Sequence, residues 1–132
     1  MAAIRRWFLG WLLVLLSGSL GAANELAGDS QRGEHVYQRC LACHALSYNR
    51  TGPLHCGLLG RRAGSVPGYP YSAAMLNADI IWSAETVDAF LTAPTQYIPG
   101  TSMTYSGLNT ADRQDLIAFI AMATDDPNYC PF

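Results

Sequence analysis

Apolar positions fall into helical spacing at three places along the chain and into no alternating, strand-like run. The first place opens at Asp29, a residue type that caps helix N-termini. Gly33, Tyr37 and Cys40 follow at i, i+4 and i+7, on one face. The second opens at Ser83, another cap, with Val87, Phe90 and Leu91 on one face and Pro94 as its terminator. The third starts near Asn109 or Thr110 and carries Leu116, Phe119, Ile120 and Ala123 at i, i+3, i+4 and i+7. A short helix is expected over residues 72–77. Residues 45–70 and 95–108 show no helical period; the first is rich in glycine and proline, and both are expected to be loops. Loops of this length are unusual in a compact domain unless something other than side chains fills its middle. The expected fold class is small all-α, with three to five helices and long loops.

The first 23 residues differ from the rest. Arg5 and Arg6 precede an apolar run from Trp7 to Leu16, and Ser17 to Ala23 are small or polar apart from Leu20. This is the layout of a secretory signal peptide cut after Ala23, leaving one domain over residues 24–132. Arg5 to Leu9 also resembles a twin-arginine export signal, a reading disfavoured because the cysteine pattern described below implies a chain exported unfolded. If retained, Trp7 to Ala23 would sit at the lower edge of what spans a membrane, and the membrane would be met only through it. Export implies a location outside the cytoplasm, in the periplasm of a bacterium, where disulfides are allowed. The formal charge of −2 hides an asymmetry: beyond the leader six arginines face ten acidic residues, a balance of −4. Lysine is absent. An acidic, lysine-free domain is a poor binder of nucleic acid.

The cysteines change the picture most. Cys40-Leu41-Ala42-Cys43-His44 is a C-x-x-C-H run, the attachment signature of c-type haem. Two cysteines at this spacing reach the two vinyl groups on one side of a porphyrin, and the adjacent histidine turns under the ring to the iron. Three simpler readings compete. A thioredoxin-like dithiol would want a βαβ setting. A zinc site would need a second ligand pair, and Cys56 and Cys130 stand alone. A plain disulfide leaves His44 unexplained. A buried haem would also account for the long loops. With Cys40 and Cys43 committed, an oxidising compartment and an even remainder predict a Cys56–Cys130 disulfide.

The chain beyond the leader resembles class I cytochrome c of the mitochondrial and bacterial c2 type. The resemblance runs from Gly28 to Thr124. It includes the C-x-x-C-H run, Gly52-Pro53, the stretch from Gly57 through Gly60-Arg61-Arg62 to Gly64, Pro67 to Tyr71, Trp82, Tyr97 to Met103, and Asp115 to Ile120. It implies a haem wrapped by helices and loops, with the first and last helices crossing where Gly33 meets Phe119. It implies His44 as proximal iron ligand, oriented by the carbonyl of Pro53, and Met103 as distal ligand in a Pro-Gly-Thr-Ser-Met loop. Met75 and Met122 read as helix packing, with Met75 where the family usually has an asparagine. Arg61, Tyr71 and Trp82 are implied as partners of the haem propionates, and Tyr97 and Thr101 as further residues of the pocket. Tyr105 stands near the exposed haem edge.

The function so implied is one-electron transport by a monomer, with no substrate bond changed. Partners would be periplasmic or membrane-bound redox proteins: a quinol-oxidising complex, a terminal oxidase or a dehydrogenase. An enzyme reading, as a haem subunit or peroxidase-like protein, and a sensor reading both want an open or labile sixth iron position. Met103 argues against them.

Overall fold

The computed structural model describes residues 28–131; the leader and its expected cleavage point lie outside them. Five helices form: α1 (Ser30–Tyr37), α2 (Ala73–Asn77), α3 (Ala84–Thr92), α4 (Pro94–Tyr97) and α5 (Thr110–Ala123). The only pairing of strand type among the described residues is an isolated antiparallel bridge between Arg62 and Ile81. The fold is small and all-α, as its sequence predicts.

Side-chain caps set the helix starts. Asp29 accepts from the Arg32 N–H at 2.9 Å, Ser72 from Met75, and Asn109 from the Asp112 N–H at 2.9 Å. Ser83 and Thr86 form a reciprocal capping box. One expectation fails locally. Residues 95–108 read as a loop, yet Pro94 to Tyr97 make a turn of α-helix with Pro94 at its first position. A proline there loses no hydrogen bond, so the residue that stops α3 also starts α4.

The crossing of α1 and α5 is the main helix–helix contact. A Cβ on Gly33 would overlap the Asp115 carbonyl and come within 2.8 Å of the Phe119 Cβ. Only glycine lets the two backbones approach this closely. Asp115, buried on α5, accepts from the Asp29 N–H at 2.7 Å and from Arg32 Nε at 2.8 Å. These donors hold its carboxyl below the usual carboxylate range. Leu116, Phe119, Ile120 and Ala123 are all buried, as the period predicts, together with Ile117 and Ala118. Met122 is 39% exposed, so it contributes less packing than its place in a helical pattern suggests.

Loop 45–70 is pinned at several points. The Gly57 N–H donates to the Thr124 carbonyl at 3.1 Å. Cys56 is joined to the fully buried Cys130 by a disulfide, with Cα atoms 5.6 Å apart. Residues 60–63 run antiparallel to 80–82: Trp82 donates to the Arg61 carbonyl at 2.9 Å and Gly60 to the Trp82 carbonyl at 2.7 Å. This pairing brings Arg61 and Trp82 side by side.

Gly33→Ala tests the crossing. Overpacking at a backbone contact should cost about 2–3 kcal/mol and lower Tm by roughly 10 °C. An unchanged melting curve would show that the helices separate there without strain.

Candidate cofactor cleft

One cleft, with a volume of about 710 Å³ including its open mouth, lies between the helices and loop 45–70. That is within the size range of ligand sites in general. Its walls are largely apolar: Leu58, Val87, Phe90, Leu91, Leu116 and Ile120. These residues come from α3, α5 and the first loop, so the helical faces that the sequence pattern assigns to the core are in part faces of the cleft.

The turns after α1 carry Cys40 to His44. The Cys43 and His44 N–H groups donate to the Cys40 carbonyl at 3.0 and 2.8 Å, which folds the five residues tightly. Cys40 and His44 line the cleft; Cys43 is exposed beside it. The two cysteines are not bonded to each other. Burial pushes the Cys40 thiol up to about 11, the opposite of the activated thiolate that a dithiol oxidoreductase needs. Among the described residues no group of three His, Cys, Asp or Glu could hold a metal ion, so the donor set of a Cys/His zinc site is missing there.

His44 is fixed from two directions. Its Nδ1–H donates to the Pro53 carbonyl at 2.8 Å, which settles the tautomer because a carbonyl only accepts. The Gly52 backbone packs against the ring: a Cβ there would lie 2.6 Å from both ring nitrogens. Burial, partly offset by the Pro53 bond, lowers the pKa of His44.

The other expected site residues divide into two groups. Arg61, Tyr71, Trp82, Pro53 and Met103 line the same cleft. Arg61 donates to the Cys56 and Leu54 carbonyls at 2.8 and 2.9 Å. It has no carboxylate partner among the described residues, and burial lowers its pKa. Tyr71 accepts from the Val66 N–H at 3.3 Å. Thr101 and Tyr97 stand one step back. Thr101 is buried, and its Oγ1 accepts from the Met103 N–H at 3.3 Å. Tyr97 meets the cleft wall edge-on through Phe90, ring centroids 6.3 Å apart. Tyr105 is 38% exposed.

Three lining residues escaped the sequence reading. Tyr37 reads as a helix face and Met75 as packing, and His55 falls in the loop expected over residues 45–70. All three line the cleft. Nothing local marks His55; its place follows from its backbone bond to the Leu46 carbonyl and the turn at Cys56 and Gly57, and only the fold shows it.

Comparison with known proteins agrees with this geometry. The family model described as cytochrome c matches residues 30–124. A cytochrome c 2.1 of Caenorhabditis elegans is 47% identical over 98 residues, covering 71% of this chain and 88% of the relative. Cytochrome c2 of Rhodomicrobium vannielii is 38% identical over 125 residues, covering 92% of this chain and 96% of the relative. Among solved structures, cytochrome cH from Methylobacterium extorquens superposes with a TM-score of 0.69 at 31% identity, covering 71% of this chain and 98% of the other. The chain therefore belongs to the cytochrome c family, whose members bind haem c covalently and carry electrons between redox proteins.

Proposed function

We propose that this protein is a periplasmic one-electron carrier with one haem c, attached through Cys40 and Cys43 and ligated by His44 and Met103. The observation that carries the reading is the His44 ring. Its Nδ1–H is spent on Pro53, which leaves Nε2 as its free nitrogen in a cleft that Met103 also lines. Burial favours the neutral ring, the form that ligates metal.

The remaining side chains fit haem. Apolar walls suit a macrocycle. Arg61, Tyr71 and Trp82 suit its two acid arms, because each keeps a donor without a partner among the described residues. The Arg61 guanidinium has five N–H groups and two protein acceptors. The Tyr71 hydroxyl accepts from Val66 and still has its own proton to donate. A carboxylate in a low-dielectric site needs such charge and hydrogen bonds.

Bound haem supplies reversible exchange of one electron between Fe(III) and Fe(II). The chain supplies position and environment. Pro53 and Gly52 hold His44, Thr101 restrains the Met103 backbone, and the apolar wall excludes water. A thioether favours the ferrous state and raises the potential. A filled sixth position separates a carrier from a peroxidase-like protein, a haem subunit of an oxidoreductase or a gas sensor.

The leader, residues 1–23, supports export, with residues 24–132 as the haem domain acting as a monomer. The partner is a periplasmic or membrane-bound redox protein, a quinol-oxidising complex, terminal oxidase or dehydrogenase. With a charge of −4 beyond the leader and no lysine, the docking patch it meets is neutral, apolar or basic. In that compartment the Cys56–Cys130 bridge forms and ties the C-terminal tail to the loop that carries His55.

Three measurements test this reading. The reduced wild-type protein should not bind carbon monoxide rapidly, whereas Met103→Ala should bind it at once. The variant's potential should fall by on the order of 100 mV, against the roughly 0.8 V that axial ligands span in haem proteins. Rapid binding by the wild type would favour the enzyme or sensor readings.

Thiol titration of the denatured, unreduced protein should find no free cysteine. Reducing the bridge should cost at most about 4.5 kcal/mol, the chain-entropy value for a separation of 74 residues. Two reactive thiols would exclude the bridge.

At alkaline pH the ferric protein should form no lysine-ligated state. The stretch 97–108 that carries Met103 has no ionisable side chain except Tyr97 and Tyr105. Arginine stays protonated past about pH 12 and cannot substitute. Met103 should stay bound to high pH and then yield to hydroxide or tyrosinate. A nitrogen-ligated low-spin species at moderately alkaline pH, surviving blockage of the N-terminus, would contradict this.

A further inference from the structure

His55 has no role in the reading above, yet it occupies a wall of the cleft directly against the proximal ligand. Its ring stacks on His44, centroids 4.3 Å apart and planes inclined by 23°. Its Nδ1 shares a hydrogen bond of 3.0 Å with the Tyr37 hydroxyl. Tyr37 is itself locked: it is buried on α1 and packs against Phe119 of the crossing at 5.2 Å. On its other side, His55 is followed by Cys56, and Arg61 clamps the carbonyls on both flanks, those of Leu54 and Cys56. The backbone N–H of His55 also donates to the Leu46 carbonyl at 3.0 Å. A side chain with this many restraints, ending as a flat face on another ring, is a template for the orientation of that ring.

The Pro53 bond alone does not fix His44. A single hydrogen bond at Nδ1 sets the tautomer and restrains the turning of the ring about Cβ–Cγ, but it tolerates angular misalignment, so the ring plane can still rock. Faces packed on the ring stop such rocking. Gly52 supplies one contact, and His55 supplies the only aromatic stack on His44 among the described residues. Filling this place with a polar ring rather than an aliphatic one requires a hydrogen-bond partner, and Tyr37 is that partner.

We propose that His55, held by the Tyr37 hydroxyl, is a positioning residue that sets the plane of the His44 imidazole. The inference rests on His44 being the proximal ligand. The Tyr37 hydroxyl acts through His55, and the α1–α5 crossing is thereby linked mechanically to the axial ligand. Imidazole orientation decides how the iron orbitals along the two in-plane directions split. It is therefore read out in the rhombicity of the ferric electron paramagnetic resonance signal and in the spread of the haem-methyl resonances in the proton NMR spectrum.

The experiment uses the haem-loaded protein and the variants Tyr37→Phe, His55→Leu and the double variant. Wild type is recorded first: without a low-spin, methionine-ligated signal the reading of the site fails, and this proposal falls with it. Given that signal, His55→Leu should change both the g-anisotropy and the order or spread of the methyl shifts. Tyr37→Phe, which keeps the ring and its volume, should change them in the same direction by less. The double variant should match His55→Leu, because the hydroxyl that Tyr37→Phe removes has no hydrogen-bond partner other than His55 among the described residues. A lowered Tm with unchanged spectra in Tyr37→Phe and His55→Leu would reduce the pair to packing and overturn the proposal. So would a Tyr37→Phe effect that persists in full when it is added to His55→Leu. Tyr37→Phe alone decides the matter if His55→Leu does not mature: unchanged spectra then refute it, and shifted spectra with an unchanged Tm support it.

Discussion

The hydrogen bond from His44 Nδ1–H to the Pro53 carbonyl, at 2.8 Å, is the contact to which the rest of the structure is fitted. It joins the turns that end α1 to the start of the longest loop, so both must hold still for one ring to be aimed. The turns hold because the Cys43 and His44 N–H groups return to Cys40. The loop holds because Arg61 clamps its own Leu54 and Cys56 carbonyls, while Cys130 and Thr124 tie its middle to the end of the chain. Gly52 is needed because any side chain there would occupy the space of the imidazole. Removing one of these restraints would leave a neutral imidazole in a cleft but not in a fixed direction, and a ligand bond is directional.

Electrostatics follows from the same cleft. Opening an apolar cavity in a domain this small makes every charge near it costly. Among the described residues none of its ion pairs lines the cleft, neither Arg39 with Asp112 nor Arg113 with Asp88. It admits one guanidinium, Arg61, whose two bonded acceptors are backbone carbonyls. A cation so placed has no carboxylate partner among the described residues, which is the basis of the proposed pairing with an anionic group of the cofactor. The acidic, lysine-free exterior belongs to a different problem, the choice of partner, and has no bearing on the fold.

Much of this was legible in the sequence because its signals are local. Caps at Asp29, Ser72, Ser83 and Asn109 mark helix starts whatever packs on them later. The C-x-x-C-H run is a motif written in five adjacent residues. Helical spacing named Leu116, Phe119 and Ile120, although it could not say which of them would face other side chains and which a cleft. The α4 turn was not legible because Pro94 is compatible with ending one helix and with starting another. Tyr97 was expected in the pocket itself, and its ring instead supports the wall through Phe90. Sequence motifs give the order of residues around a site but not which of two neighbours turns inward.

His55 shows the limit most clearly. Between Leu54 and Cys56 it carries no pattern, and a histidine in a glycine- and proline-rich loop would ordinarily be solvated. Its ring is instead bracketed by Tyr37 and His44, two residues 18 and 11 positions away in sequence. Placing a titratable ring in an apolar wall contradicts local consistency and is stable only because a second polar residue was placed opposite it. Tyr37, a helix-face aromatic by every sequence criterion, thus has a hydroxyl that matters. Exceptions of this kind concentrate where function is set rather than where the chain merely folds. The pair lies beside the one side chain whose direction the fold is arranged to control, which makes positioning a more economical account of it than packing.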